Sequence, residues 1–172
     1  IIDGSGGNNS TILCYENTQN CTIRGFSITG GKGYDFYNGT SPYQIFGGGI
    51  YIFQNNSIML TKLNIFGNHA STGGGIHVDS PNTVSMSGVN IHDNYARYLG
   101  GGLALGSNPN LGAPNIVFSQ TDRCSIYNNF AQWGMDIHWH YIHGGTLSVY
   151  LKKFTAPQWE KYYASYYEST YP

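Results

Sequence analysis

At 172 residues the chain has the size of one domain and can bury a core without metal or disulfide support. Only 10% of its residues are Asp, Glu, Lys or Arg, while 24 are glycine and 15 tyrosine, so Asn, Ser, Thr and Gly must build the surface. Eight basic against nine acidic residues give a formal charge of −1, which offers no electrostatic footprint to nucleic acid or an anionic membrane.

No stretch approaches the roughly 20 apolar residues that span a bilayer. The chain starts at Ile1 with neither Met nor a signal peptide, as expected of a processed chain or a fragment. An apolar content of 40% argues for a packed fold over disorder.

In chain order, the opening "IIDGSG" places Asp3 in an N-terminal turn. Cys14 and Cys21 bracket the polar turn "YENTQN", a spacing able to close a small disulfide in an oxidising compartment. N-x-S/T triplets at Asn8, Asn9, Asn20, Asn38 and Asn55 are glycosylation acceptors for a secreted eukaryotic chain.

The segment "LNIFGNHASTGGGIHV" at 63–78 returns almost position for position as "VNIHDNYARYLGGGLAL" at 89–105. A third copy, "CSIYNNFAQWGMDIHW", runs from Cys124 to Trp139, and a degenerate one, "FSITGG", from Phe26 to Gly31. Ile28, Ile65, Ile91 and Ile126 become equivalent, as do Phe26, Leu63, Val89 and Cys124, at intervals of 37, 26 and 35 residues. The long intervals contain the turn-rich insertions "GYDFYNGTSPYQ" and "NPNLGAPN", so the basic unit is about 26 residues. Cys124 falls on an inward apolar position and reads as a buried free thiol.

Apolar residues alternate within a unit: Ile58 and Leu60, then Leu63 and Ile65; Val84 and Met86, then Val89 and Ile91. Period two means strand, and no long window keeps a helical spacing between them. Two or three short strands per unit, each paired with its equivalent in the next, make a right-handed parallel β-helix, an all-β solenoid. A leucine-rich repeat has a similar length but needs an L-x-x-L-x-L frame that is absent.

Asn68, Asn94 and Asn129 recur at the bend after the central strand, where asparagine tolerates a left-handed backbone and can hydrogen-bond its neighbours above and below as a ladder. The triple glycines at 47–49, 73–75 and 100–102 supply positive φ and let the next strand approach closely. A phosphate cradle would need a helix after the glycines, whereas strands follow them here.

At the end of the third copy, in "MDIHWHYIH", an extended strand puts Asp136, His138 and His140 on one side and Ile137, Trp139 and Tyr141 on the other. Such a trio can ligate a transition metal, but Ile137 matches the inward Ile76 and Leu103, which leaves the trio lining the solvated outside. Residues 1–143 form the β-helix, and 144–172 a Tyr-rich cap or interaction segment. Thr155 as N-cap, Pro157 and Gln158 predict a short helix with Trp159, Tyr162, Tyr163, Tyr166 and Tyr167 as an aromatic stripe. The stripe covers the open end of the solenoid, docks another copy or serves as a sugar platform.

The repeated "GGGI" with Ile-x-x-Asn, after the opening "IIDGSG", resembles the right-handed β-helix repeats of pectin-lyase-like surface proteins. It is also similar to polymorphic outer-membrane and autotransporter passenger repeats, over roughly residues 1 to 143. This resemblance implies an extracellular or cell-surface location.

Lyases and hydrolases of the superfold need acidic metal ligands, clustered aspartates and a basic residue. This chain is poor in them; Asp122 and Arg123 are the candidate catalytic pair. The expectation is a non-enzymatic structural or adhesive module without cofactor, associating with itself, other surface proteins or glycans. A polysaccharide-active enzyme and a carbohydrate-binding module are the alternatives.

Overall fold

A computed structural model describes residues 1–35, 44–106, 111–141, 147–154 and 164–168. Every regular element among them is a strand. The chain begins with β1 (Ile2–Asp3), β2 (Ile12–Cys14), β3 (Cys21–Arg24), β4 (Ser27–Thr29) and β5 (Tyr34–Asp35). It continues through β6 (Ile45–Phe46), β7 (Ile50–Ile52), β8 (Ser57–Thr61), β9 (Asn64–Phe66) and β10 (His69–Thr72). Next come β11 (Ile76–Val78), β12 (Thr83–Ser87), β13 (Asn90–His92) and β14 (Tyr95–Leu99). Then follow β15 (Leu103–Leu105), β16 (Asn115–Phe118) and β17 (Cys124–Tyr127). Last are β18 (Ile137–Tyr141), β19 (Leu151–Phe154) and β20 (Ala164–Glu168).

These strands form four sheets whose order skips along the chain: β1-β4-β9-β13-β17-β19, β2-β7-β11-β15-β18-β20, β16-β12-β8-β3 and β14-β10-β6-β5. They are called here the β13, β11, β12 and β10 sheets. Strand pairing is parallel throughout, except for the antiparallel β5–β6. Registers follow the repeat: Ile28, Ile65, Ile91 and Ile126 are successive partners. So are Ile50, Ile76, Leu103 and Ile137.

The alternating side chains explain the core. In β12 the pattern is exposed, buried, partly buried, buried, partly buried from Thr83 to Ser87, which puts Val84 and Met86 inside. Stacked on Ile58 and Leu60 below and Ile116 and Phe118 above, they join one apolar cluster running from Cys14 to Ile137. Each such side chain removed from water contributes about 1.5–3 kcal/mol. Cys124 is fully buried within the cluster as a free thiol. Phe26 departs from its equivalents: its carbonyl keeps the register by accepting the Asn64 amide, but its ring is exposed.

The triple glycines stack on one another. Gly74 N–H donates to the Gly100 carbonyl and Gly75 N–H to that of Gly101. The first glycine of each run is left-handed, as at Gly73 (φ 68°), and Gly134 (φ 60°) takes that place in the third copy. A Cβ on Gly75 would lie 2.6 Å from the Gly102 carbonyl oxygen, so only glycine permits this spacing.

The end of the chain departs from the expected helix. Residues Ala164–Glu168 are strand β20, paired in parallel with β18 in the register Trp139↔Tyr166 and His140↔Tyr167. Likewise β19 extends the β13 sheet beyond β17. Tyrosine favours strands, and the free edge of β18 offers unpaired backbone groups that a packed helix cannot satisfy. Trp159, Tyr162 and Tyr163 lie outside the described residues, as does Asn38. No helix among the described residues is long and apolar enough to cross a membrane.

Candidate functional site: a cationic groove on the β13 sheet

Outward residues of β13, β17 and β19 form the floor of a groove of about 850 Å³. Asn90, Ser125, Tyr127 and Lys153 come from the strands, and the turn Thr121–Arg123 with Gly88 makes one side. Gly88 N–H donates to the Asp122 carbonyl at 2.7 Å, which fixes that turn against the end of β12. The Asp122 carboxylate accepts the Ser87 hydroxyl at 3.2 Å. Arg123 Nε donates to the Gln120 carbonyl at 3.2 Å, anchoring the guanidinium at the rim. Lys153 Nζ lies 3.6 Å from the centre of the Tyr127 ring, a cation–π contact.

Arg123, Lys152 and Lys153 put three of the chain's eight basic side chains around one groove, against the single carboxylate of Asp122. That excess, over a floor of neutral donors and acceptors, suits an anionic polar ligand. The groove brings together the two residues read as a catalytic pair. The lysines escaped the sequence reading because they belong to the tail, where the repeat is no longer visible.

Asn68, Asn94 and Asn129 are buried and form the expected ladder. Asn68 Nδ2 donates to Asn94 Oδ1 at 3.0 Å and Asn94 Nδ2 to Asn129 Oδ1 at 3.0 Å. The left-handed residue of each bend is the one before the asparagine: Gly67, Asp93 and Asn128. Sequence reasoning missed a parallel pair, in which Asn56 N–H and Nδ2 both donate to Asn82 Oδ1 at 2.8 and 3.1 Å. The 26-residue interval between these asparagines was the available signal.

Asp136 and His138 of the "MDIHWHYIH" trio are buried and do not line a solvated face. Asp136 is fully buried and its Oδ1 accepts the backbone and side-chain amides of Asn129 at 3.1 and 2.9 Å. It precedes β18, so strand alternation does not govern it. His138 does point outward with Ala104 and His77, its register partners, yet it is only 5% exposed. His140 lies in β18 beside Tyr167 of β20. Among the described residues no three His, Cys, Asp or Glu side chains gather as a metal site.

That outer row of the β11 sheet is itself covered. Phe46 packs on His77 at 4.7 Å between ring centroids and on Tyr51 at 5.6 Å. Tyr51 donates to Asp79 Oδ2 at 2.6 Å, and His77 Nε2 lies 3.1 Å from Asp79 Oδ1. Burial works against the Asp79 carboxylate, but the His77 charge and the hydrogen bonds from His77 and Tyr51 outweigh it and hold its carboxyl below the ordinary value. Burial, then the Asp79 charge, push the Tyr51 phenol up.

Cys14 and Cys21 carry free thiols, not the expected disulfide. They sit on strands of different sheets, each turned to the apolar core. Burial, then Cys21, push the Cys14 thiol up to about 11, which keeps it protonated. Asn8, Asn9, Asn20 and Asn55 are exposed at turns.

Comparison with protein-family models, with curated proteins and with solved structures gives no match to this chain.

Proposed function

We propose that the chain is a right-handed parallel β-helix module of an extracellular surface protein, adhesive in role, that holds acidic glycans in the groove beside Asp122 and Arg123. The β-helix reading rests on parallel partners that recur every 26 residues or at that interval plus an insertion, and on the right-handed preference of parallel crossovers. The pectin-lyase-like resemblance agrees with that architecture. Exposed sequons at Asn8, Asn9, Asn20 and Asn55 suit a secreted glycoprotein. The strand edge of β20 offers a route to end-to-end assembly into fibres or larger surface arrays.

One observation carries the ligand reading: three cations and one carboxylate over a floor of Asn90 and Ser125. Carboxylate or sulfate groups satisfy those cations, and sugar hydroxyls match the neutral floor. The adjacency of Asp122 and Arg123 supports a second reading, a polysaccharide-active enzyme. Hydrolysis of a glycoside ordinarily needs two carboxyl groups, and among the groove residues Asp122 alone supplies one.

A broad glycan array, read together with a polyuronate depolymerisation assay, tests the proposal. Retention of acidic glycans over their neutral counterparts, without chain shortening, is the expected outcome. Chain shortening would replace the adhesive reading by the enzymatic one, and no acidic preference would remove the groove from the account.

A further inference from the structure

Strand β19 reads Leu151-Lys152-Lys153-Phe154. Strict alternation along it would send one lysine into the core and leave one of the two apolar side chains outside. Neither happens: Leu151 and Phe154 both pack against the apolar cluster, while both lysines are exposed and line the groove. The register explains how. Cys124 pairs with Leu151, but the next residue, Ser125, pairs with Lys153 and Ile126 with Phe154, so Lys152 has no partner on β17. It is the extra residue of a β-bulge, which re-aims a side chain at the expense of a regular ladder.

A strand without Lys152 would seat the same two apolar side chains, keep Lys153 outside and run in unbroken register with β17. The core therefore gives no reason for the insertion, whereas the groove does. Lys153 Nζ already rests on the Tyr127 ring at 3.6 Å, and Arg123 is tied through Nε to the Gln120 carbonyl at 3.2 Å. Against Asp122, those two cations leave one net positive charge in the groove, and Lys152 raises it to two. The salt bridges among the described residues both involve histidine, so no carboxylate neutralises either lysine.

We propose that Lys152 is an inserted specificity residue that fits the groove to glycan segments carrying two anionic groups on neighbouring sugars, carboxylate or sulfate, over segments carrying one. The second ammonium gives the second anionic group a charge-assisted hydrogen bond that a singly charged segment cannot complete. The inference rests on the acidic-glycan reading of the groove and adds its charge requirement.

Calorimetric titration at about pH 7, where uronate carboxylates are ionised, compares two pairs of probes on the full chain. One pair is digalacturonate and its monomethyl ester; the other is glucuronyl-N-acetylgalactosamine with and without a sulfate ester. The wild type should hold the doubly charged member of at least one pair about tenfold more tightly than the singly charged member, and the pair that shows it distinguishes carboxylate from sulfate. Lys152→Ala and deletion of Lys152 should both lower that ratio to about threefold or less. Lys152→Arg should keep it, as should Lys32→Ala, which removes an equal charge from an exposed position beyond β4. In urea the deletion variant should unfold no earlier than the wild type. Acid binding with no preference for the doubly charged member of either pair overturns the inference alone. So does a preference that survives both losses of Lys152 or that Lys32→Ala lowers as much, and so does a deletion variant that unfolds much earlier, because the bulge would then serve the fold. Absence of binding by every probe overturns the glycan reading itself and the role of Lys152 with it.

Discussion

Asn129 gives its backbone N–H and its side-chain amide to the same carboxylate oxygen of Asp136, at 3.1 and 2.9 Å. Each asparagine below repeats this arrangement, with Asn94 donating twice to Asn129 and Asn68 twice to Asn94. The column ends on a carboxylate because its last acceptor needs no amide of its own to continue the chain of donors.

Asn94→Ala should therefore destabilise the protein by roughly 2–4 kcal/mol, because two buried donors of Asn68 lose their acceptor. Asp136→Ala should cost a similar amount by the same logic applied to Asn129. Asp136→Asn keeps an oxygen at the site and should cost about 1 kcal/mol. Equilibrium urea unfolding measures all three, and equal losses for the alanine and asparagine variants at 136 would contradict the ladder-end role.

Gly75→Ala tests the close stacking of the glycine runs. Its Cβ would stand 2.6 Å from the Gly102 carbonyl oxygen and 2.7 Å from Ile91 Cγ2. Neither a sheet backbone nor a core isoleucine can yield easily, so a loss of about 3 kcal/mol or more is expected. Gly6→Ala, with open space around its Cβ, is the control. Thermal unfolding should separate the two clearly.

Acid should loosen the cover on the β11 sheet through Asp79. Its folded-state carboxyl sits below the ordinary value, so the stability it contributes is complete above the unfolded value near 3.9 and disappears as pH falls through the folded one. Asp79→Asn should flatten that part of the stability profile below about pH 4. Tyr51→Phe removes one of the hydrogen bonds holding the carboxylate and should shift the loss to higher pH. Chemical denaturation at stepped pH reads both effects.

The repeat was legible because its period of about 26 residues places like residues in register. Pairs such as Ile65↔Ile91 and Ile76↔Leu103 follow directly from the alignment. The asparagine ladder was legible for the same reason. The aromatic tail was not: Tyr166 and Tyr167 fit a helical spacing, yet the free edge of β18 recruits them into β20. Nor was Asp136, because a residue ahead of a strand escapes the two-residue alternation that sorts inside from outside. Of the groove, only Asp122 and Arg123 stood out; Lys152 and Lys153 arrive from outside the repeats, and only pairing of β19 with β17 brings them there.

Recognition of negative charge on a sugar is the role proposed for the groove. Calorimetric titration of the wild type and of an Arg123→Ala/Lys153→Ala double variant, each with an acidic oligosaccharide and with its neutral methyl ester, tests it most directly. The wild type should bind the acid and not the ester, and the double variant should bind the acid at least about tenfold more weakly. Equal affinity for acid and ester, or an unchanged affinity in the double variant, would contradict it.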